Sequence, residues 1–348
     1  MPTSAPRILL IQLRRIGDVL MTTPAVRALR EARPEAHITY LTEPPAHVVF
    51  QNSPRVNAVK LHPRKSGLLS HLRLMRELRG ERYDIVIDFF SNPRSAQLAW
   101  ATGAAQRIGF DFPGRRWAYT HRVGTAQGRR FAAQHKADLL EPLGISTPSL
   151  LPEIFLGAEQ RAYAQRQLAG LGVRENELLV ALCPVSRQPY KVWPAKHFAR
   201  IADVLIERYG AQVLLFWGPG EESFVNAVRA EMTYRALPDY PVPDLPRMAA
   251  LLERCHVYVG NDNGPRHFAI AVGTPTVAVF GRPFPENWTP PGQPLHQAVA
   301  YDPGCKANCT YPRCTHLNCI NAVPYRAVEQ AVESLLEHVL RDGRPPRR

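Results

Sequence analysis

The chain has 348 residues, a length that suits two domains better than one. Hydrophobic residues make up 45% and charged residues 21%, which is ordinary globular usage and excludes a disordered chain, a collagen-like repeat and a coiled coil. No apolar run approaches the ~20 residues of a membrane-spanning helix, and the apolar run at 8–13 is too short for a signal peptide. We therefore expect a cytoplasmic protein.

The net charge of +13 is concentrated in the first half of the chain. Residues 1–150 carry a formal net charge of +11, and the rest of the chain carries +2. Such a basic surface attracts polyanions, which include nucleic acid, an anionic membrane and a phosphorylated substrate. The alternative interpretation is an arginine-rich composition without functional meaning.

The first half of the chain predicts alternating strands and helices. Residues 8–13 form a continuous apolar run, typical of a buried parallel strand, which a polar loop and an amphipathic stretch follow. Further strands are predicted at 37–41 and 84–90, and helical patterns occupy 68–80 and 94–102. Alternation of this kind indicates a parallel sheet with helices on both faces.

The pattern restarts in the second half. Further apolar runs predict strands at 178–183, 212–218, 257–262 and 276–281, each next to a plausible helix. We therefore expect an α/β protein with two Rossmann-like domains. The expected divisions are a first domain at 1–155, a linker region at 156–177, a second domain at 178–322, a terminal helix at 323–340 and a disordered basic tail at 341–348.

The first candidate for catalysis follows the first strand, because parallel sheets bind ligands beyond the carboxyl ends of their strands. Asp18 could act there as a general base, or it could only complement a helix dipole. Thr23 and Pro24 resemble a helix start, which would leave Asp18 on a loop. Arg14 and Arg15 are expected to contact an anionic acceptor.

Two loops of the second half suit a phosphorylated ligand. Ser186, Arg187 and Lys191 combine a hydroxyl, a guanidinium and an ammonium group, although a solvated basic loop is the alternative. The sequence GPGEESF is not the dinucleotide fingerprint, but its Glu221 or Glu222 could accept hydrogen bonds from a ribose.

The most informative loop has the sequence GNDNGPRHF. Asp262 and Asn263 follow a strand, Gly264 permits a tight turn, and Arg266 and His267 fall in the first turn of the next helix. Backbone N–H groups at a helix start bind anions, so the loop predicts a diphosphate site. The chain has no Walker A, H-E-x-x-H or G-x-S-x-G sequence, which argues against a P-loop NTPase, a zincin and an α/β-hydrolase.

Four of the six cysteines lie within fifteen residues near the end of the chain. These are Cys305, Cys309, Cys314 and Cys319. They could hold a structural Zn²⁺ or an iron–sulfur cluster, while free thiols and disulfides are the alternatives.

Five segments together resemble glycosyltransferase family 9, the ADP-heptose:lipopolysaccharide heptosyltransferases. They are ILLIQLRRIGDVLMTTPAVRALREARP, YDIVIDF, KVWPAKHFARIADVL, GNDNGPRHFAIAVGTPTVAVFG and CKANCTYPRCTHLNC. The resemblance implies a GT-B fold, with two Rossmann-like domains facing across a cleft. It also implies that the first domain binds the acceptor, that the second binds the nucleotide sugar, and that transfer inverts the sugar without any cofactor required for catalysis.

The resemblance assigns roles to residues by motif. Asp18 matches the family's general base, and Lys191 matches its diphosphate-contacting lysine. Asp262, Gly264 and His267 match the nucleotide-sugar loop.

Other positions match the family pattern less closely. Ser186 stands where the family often has Thr, and Glu221 or Glu222 approximates the ribose-binding acid. The family commonly reads D-T-G-x-x-H, whereas this chain has Asn263 in place of Thr and an additional charge at Arg266. These departures leave the donated sugar open.

The sequence therefore predicts an enzyme bound peripherally at the inner face of the cytoplasmic membrane. It would move a heptose from ADP-heptose onto an anionic, lipid-linked acceptor of the lipopolysaccharide inner core. One alternative is a family relative that uses another nucleotide sugar or glycan acceptor. A distant alternative is a basic nucleic-acid-binding protein with a Cys₄ metal site, but no nucleic-acid partner is expected, because the basic half lacks the cysteine cluster and no RNA-binding motif occurs.

Overall fold

The computed structural model describes residues 5–62, 67–125, 128–174, 176–282, 284–305 and 308–341. The chain divides into two compact units, Met1–Phe155 (unit 1) and Leu156–Arg348 (unit 2). Each unit is built around one parallel sheet. The tail expected at 341–348 lies outside the described residues except for Arg341, which ends the last helix.

Unit 1 contains a six-stranded sheet in which every pairing is parallel. Its strands are β1 (Arg7–Ile11), β2 (His37–Thr42), β3 (Ala58–Leu61), β4 (Ile85–Asp88), β5 (Gln106–Phe110) and β6 (His121–Val123). Their spatial order is β3-β2-β1-β4-β5-β6, so the direction of succession reverses between β1 and β4. Open parallel sheets bind ligands beyond the carboxyl ends of the strands at this switch point.

Two helical layers cover the sheet of unit 1. The helices are α1 (Ile16–Leu20), α2 (Thr23–Ala32), α3 (Leu68–Gly80), α4 (Pro93–Ala101) and α5 (Ala132–Asp138). Short 3₁₀ helices occupy Ala46–Val49, Arg116–Ala118 and Glu141–Leu143. Helix α2 packs against α5, while α3 packs against α4. The start of α4 is fixed by a capping box, in which Asn92 and Ser95 exchange side chain to backbone hydrogen bonds.

Unit 2 contains a five-stranded sheet, again parallel throughout. Its strands are β7 (Leu179–Cys183), β8 (Gln212–Leu215), β9 (Val257–Asn261), β10 (Thr276–Phe280) and β11 (His296–Ala300). Their order is β11-β10-β9-β7-β8, which places the switch point of unit 2 between β7 and β9. The two sheets confirm the predicted α/β fold class.

The helices of unit 2 surround its sheet. They are α6 (Ala158–Gly170), α7 (Ala195–Tyr209), α8 (Glu222–Glu231), α9 (Leu245–Arg254), α10 (Gly264–Ala271), α11 (Asn318–Asn321) and α12 (Tyr325–Arg341), with 3₁₀ helices at Pro189–Lys191 and Pro285–Asn287. Residues 156–177, which the sequence suggested as a linker region, contain α6, and this helix packs against α9. Helix α12 buries Val328, Val332 and Leu336 in the core of the unit.

Candidate functional site

The switch point of unit 1 brings two carboxylates close to one ammonium group. Asp18 lies in α1 after β1, and Asp88 is the last residue of β4. Lys136 reaches this point from α5, where its Nζ donates to the carbonyl oxygen of Phe89 at 2.5 Å. The positive charge of Lys136 acts on both carboxylates.

The carboxylate of Asp18 is available to a substrate. Burial raises the pKa of Asp18, and the positive charges of Lys136 and Arg15 oppose that rise. Among the residues that the structure describes, none donates a hydrogen bond to this carboxylate. A half-buried carboxylate with an elevated pKa and unoccupied oxygens is suited to accept a proton.

Asp88 differs from Asp18 because protein groups already occupy its oxygens. Its Oδ1 accepts the N–H groups of Phe90 and Ser91 at 3.0 and 2.9 Å, and its Oδ2 accepts the Tyr119 hydroxyl at 2.8 Å. Asp88 is fully buried. It therefore holds the loop after β4 in place. Burial raises the pKa of Asp88, and the hydrogen bonds that its carboxylate accepts oppose this rise.

The expectation that Asp18 lies on a loop is wrong. Arg14 and Arg15 adopt φ angles of 63° and 36°, in the left-handed region that residues other than glycine rarely occupy. This turn starts α1 at Ile16, and Asp18 lies inside that short helix. Both arginine side chains are exposed, so they remain candidates for acceptor binding.

A second polar cluster of unit 1 follows β2. Arg94 Nη1 donates to Glu43 Oε1 at 3.1 Å, and its Nη2 lies 3.3 Å from His62 Nδ1. The other ring nitrogen of His62 lies 3.3 Å from His71 Nδ1. Burial and the charge of Arg94 lower the pKa of His62 to about 4, so its Nδ1 can accept from Arg94 as a neutral imidazole.

An ion pair lies at the switch point of unit 2. Lys191 Nζ donates to Asp262 Oδ2 at 2.6 Å, and the Asp262 side chain is only 2% exposed. Lys191 comes from the loop after β7, and Asp262 directly follows β9. The pair therefore links the two strands between which the sheet order reverses.

Asn263 fixes the start of α10. Its Oδ1 accepts the Arg266 N–H at 3.1 Å and the Tyr258 hydroxyl at 2.8 Å. Its Nδ2 donates to the carbonyl of Val185 at 2.9 Å, which ties this helix start to the loop after β7. Asn is among the preferred residues at this cap position.

Arg266 and His267 are both buried beside the segment that follows β10. Arg266 donates to the Trp288 carbonyl and the Thr289 hydroxyl, each at 3.0 Å, and its guanidinium lies over the ring of Phe280. The guanidinium thus braces this segment. The ring of His267 lies 5.6 Å from that of Trp288, and burial lowers the pKa of His267 to about 4.

The remaining predicted donor residues differ in exposure. Ser186 is buried, and its hydroxyl accepts a backbone N–H two residues further on. The side chain of Arg187 is 92% exposed and lies 3.9 Å from Glu221 Oε1. Glu221 accepts the N–H of Gly218 at 3.0 Å, whereas Glu222 begins α8 with an exposed side chain.

The comparison with known sequences identifies the family. The sequence model described as Glycosyltransferase family 9 (heptosyltransferase) matches residues 71–316. The chain belongs to glycosyltransferase family 9. It is therefore a glycosyltransferase, which confirms the family inferred from its motifs.

Curated and solved relatives of this glycosyltransferase agree with that assignment. Lipopolysaccharide heptosyltransferase 3 of Escherichia coli K12 is 27% identical over 298 residues, which cover 79% of this chain and 84% of the relative. The glycosyl transferase family 9 structure from Veillonella parvula is 28% identical with a TM-score of 0.82, covering 97% and 99% of the two chains. The E. coli heptosyltransferase WaaC with ADP has a TM-score of 0.67 at 22% identity, covering 96% and 99%. These structural likenesses confirm the GT-B fold.

The cysteine cluster of the glycosyltransferase does not form a metal centre in the described residues. Within these ranges, no group of three or more His, Cys, Asp or Glu side chains could hold a metal ion. Cys305 is exposed, Cys309 and Cys314 are half-buried, and Cys319 is buried. The suggested zinc or iron–sulfur site is therefore unsupported. In the same described ranges, no helix is long and apolar enough to cross a membrane.

Three contributors to the two switch points were not found in the sequence. Lys136 lies in the short helix α5, and no local pattern distinguishes it from a surface lysine. Trp288 lies in a proline-rich loop without a motif. Asp88 had a usable signal, because it is a carboxylate placed where an apolar strand ends.

Proposed function

We propose that this glycosyltransferase moves a heptose from ADP-heptose onto an inner-core saccharide of lipopolysaccharide, with inversion at the anomeric carbon and without a catalytic metal. In this proposal, residues 1–155 bind the acceptor and the second Rossmann-like unit binds the donor. The names of the relatives support the reaction, since they include lipopolysaccharide heptosyltransferases, and the WaaC structure contains ADP.

The observation that carries the proposal is the accessible carboxylate of Asp18 at the switch point of unit 1. Asp18 takes the proton of the acceptor hydroxyl while that oxygen forms a bond to the anomeric carbon. The bond between this carbon and the diphosphate oxygen breaks, and its electron pair leaves with ADP. Burial raises the pKa of Asp18, which makes the carboxylate more basic, and the positive charge of Lys136 opposes this rise.

Lys191 supplies the main positive charge for the donor diphosphate. The start of α10 adds its dipole, but its backbone donors are few, because Asn263 already accepts the Arg266 N–H and Pro265 has none. Lys191 can share its ammonium between Asp262 and a phosphate oxygen. This arrangement places a fixed cation where charge develops on the leaving group.

His267 contributes as a neutral side chain. Its Nδ1 is buried and has no hydrogen-bond partner in the described part of the chain. Because the pKa of His267 is lowered to about 4, the imidazole can donate or accept one hydrogen bond near pH 7 without carrying charge. We assign it to a polar group of the bound donor.

A donor screen tests the proposal. The purified enzyme is incubated with ADP-heptose, or with UDP-, GDP- and CMP-sugars, and with a delipidated inner-core acceptor, with and without a chelator. We expect ADP release and a heptosylated acceptor only with ADP-heptose, undiminished by the chelator, and an inverted anomer by NMR. Transfer from another nucleotide sugar would instead support the family relative with a different donor, and retention of configuration would exclude direct displacement.

A further inference from the structure

The outward face of α3 is unusually apolar for a surface helix. Leu68, Leu69 and Leu72 are 74%, 84% and 48% exposed, although a helix on a sheet normally turns its leucines inward. The buried side chains of Leu74 and Leu78 already form the inward face of α3. The three exposed leucines are therefore not needed for packing within unit 1.

Basic side chains share this outward face. Arg73, Arg76 and Arg79 are exposed along the next turns of α3, on the side away from Leu74 and Leu78. Glu77 lies toward the edge of the face and pairs with Lys60. The outward surface of the helix thus combines leucines in its first turns with exposed arginines further along.

Two exposed tryptophans lie on other elements of unit 1. Trp100 at the end of α4 and Trp117 in the adjacent 3₁₀ helix are each 52% exposed, with ring centroids 5.9 Å apart. The indole N–H of Trp117 is satisfied by the Gly114 carbonyl at 3.0 Å. In the described residues of unit 1, every large apolar side chain that is exposed lies on the end of β3, on α3, on α4 or on this 3₁₀ helix.

The position of the leucines relates this surface to the proposed base. Helix α3 follows β3, so its first turn lies at the carboxyl edge of the sheet. Asp18 lies at the same edge, after β1. A flat surface that contacts Leu68 and Leu69 would therefore lie at the edge of unit 1 that also carries Asp18, where the acceptor hydroxyl must arrive.

We propose that this face, formed by Leu68, Leu69, Leu72, Arg73 and Arg76, docks unit 1 onto an anionic lipid bilayer. The leucine side chains enter the boundary between headgroups and acyl chains, and the arginines contact anionic headgroups. The charge favours a lipid surface over a purely apolar protein groove, because Arg73 and Arg76 form no ion pair with the residues that the structure describes. The inference rests on the proposed function in one respect, since docking would present a lipid-linked acceptor to Asp18.

The test compares a leucine variant with a matched control on vesicles. The variant carries Leu68→Ser, Leu69→Ser and Leu72→Ser, while the control carries Leu340→Ser, which alters a similarly exposed leucine of unit 2. With vesicles containing phosphatidylglycerol, we expect the leucine variant to lose at least ~10-fold in partition coefficient and the control to match the wild type. Phosphatidylcholine vesicles should bind the wild type weakly, and added salt should weaken its binding to the anionic ones.

Further measurements separate the possible failures. Arg73→Gln with Arg76→Gln should weaken binding and flatten its salt dependence, which keeps the idea testable if the leucine variant is unstable. Transfer of the heptose to a delipidated acceptor should be unchanged in both variants. If the wild-type enzyme does not catalyse this transfer, the proposed function is rejected, but the docking surface is not. Unchanged vesicle binding by both variants would overturn the docking surface. A second result would also overturn it: light scattering shows that the wild type is an oligomer and the leucine variant a monomer, while vesicle binding is the same for both. The face would then join copies of the chain.

Discussion

The two switch points use an aspartate and a lysine in opposite ways. In unit 1, the Asp18 carboxylate receives no hydrogen bond from the described residues, and Lys136 acts on it only through its charge. In unit 2, Asp262 is held at 2.6 Å by Lys191 and is almost completely buried. A group that must take up a proton needs free oxygens, whereas a group that orients a loop needs its oxygens occupied.

The lysines differ accordingly. Burial lowers the pKa of Lys136, and the carboxylates of Asp18 and Asp88 oppose this effect. Lys136 also donates to a backbone carbonyl, which fixes its position. Lys191 instead ends the 3₁₀ helix Pro189–Lys191 and donates to one carboxylate, and in the proposal it shares its ammonium group with a phosphate oxygen. In the proposed mechanism, the charge of Lys136 acts on the ionisation of Asp18, whereas Lys191 binds the negative charge of the diphosphate.

Replacing each aspartate should separate these roles most clearly. Asp18→Asn removes the base while keeping the shape, and we expect turnover to fall ~10²–10⁴-fold with nearly unchanged ADP affinity. Asp262→Asn should chiefly weaken donor binding, because the carboxylate that positions Lys191 is lost. Steady-state kinetics and calorimetry with ADP provide the two readouts. Near wild-type turnover in Asp18→Asn would remove Asp18 from catalysis.

Replacing Lys191 should affect binding more than replacing its exposed neighbour. Lys191→Met removes a hydrogen-bonded charge, and interactions of that kind contribute about 1.5–3 kcal/mol, so ADP affinity should fall roughly tenfold or more. Arg187→Met is the matched control, since its side chain is 92% exposed and should contribute much less. Equal losses in the two variants would show that the loop contributes only general positive charge. The Lys191 variant should also be less stable, because Asp262 stays buried without its cation.

The sequence predicted most of the interior strands of both sheets and missed most of the edge strands. Seven strands were predicted from continuous apolar runs, and the structure has a strand at each of them. The unpredicted strands β3, β6 and β11 lie at sheet edges, where a strand is partly exposed and loses the apolar signal. Strand β5 lies inside the sheet but was also not predicted, because it begins with the polar residues Gln106 and Arg107.

The site shows the same limit for a different reason. Lys191 and Asp262 lie in the segments that connect two predicted strands to the next helices, so their meeting at one sheet edge could be anticipated. Lys136 could not, because it reaches the edge from a helix far along the chain. The sequence also assigned Arg266 to the donor, and only the fold reveals its bonds to the segment at Trp288 and Thr289.

Replacing Lys136 should change the pH dependence of turnover. Because its ammonium group opposes the rise in the pKa of Asp18, Lys136→Met should raise that pKa further. The acidic limb of the kcat/KM profile should move to higher pH, with activity recovering at alkaline pH. Lys60→Met, which alters a lysine paired with Glu77, is the control. An equal loss of activity at every pH would indicate that Lys136 has a structural role only.

His267 should also make the stability of unit 2 depend on pH in the acid range. The folded pKa of His267 is about 4, below the ~6.5 of an unfolded histidine, so between these values the unfolded chain binds a proton that the folded chain does not. The free energy of unfolding of unit 2 should therefore be highest above pH ~6.5. It should fall as the pH falls from ~6.5 toward 4, by about 1.4 kcal/mol per pH unit for this one group.

Hydrogen exchange at the amides of β7 and β9 can measure this effect for unit 2 alone, which matters because a two-unit chain need not unfold in one step. His267→Gln should remove about one proton from the pH slope of their protection, and His121→Gln, a change at an exposed residue of unit 1, should leave it unaltered. An unchanged slope in His267→Gln would mean that the imidazole takes up its proton in the folded protein. It could not then be the neutral partner of the donor, and the diphosphate would face a second cation beside Lys191.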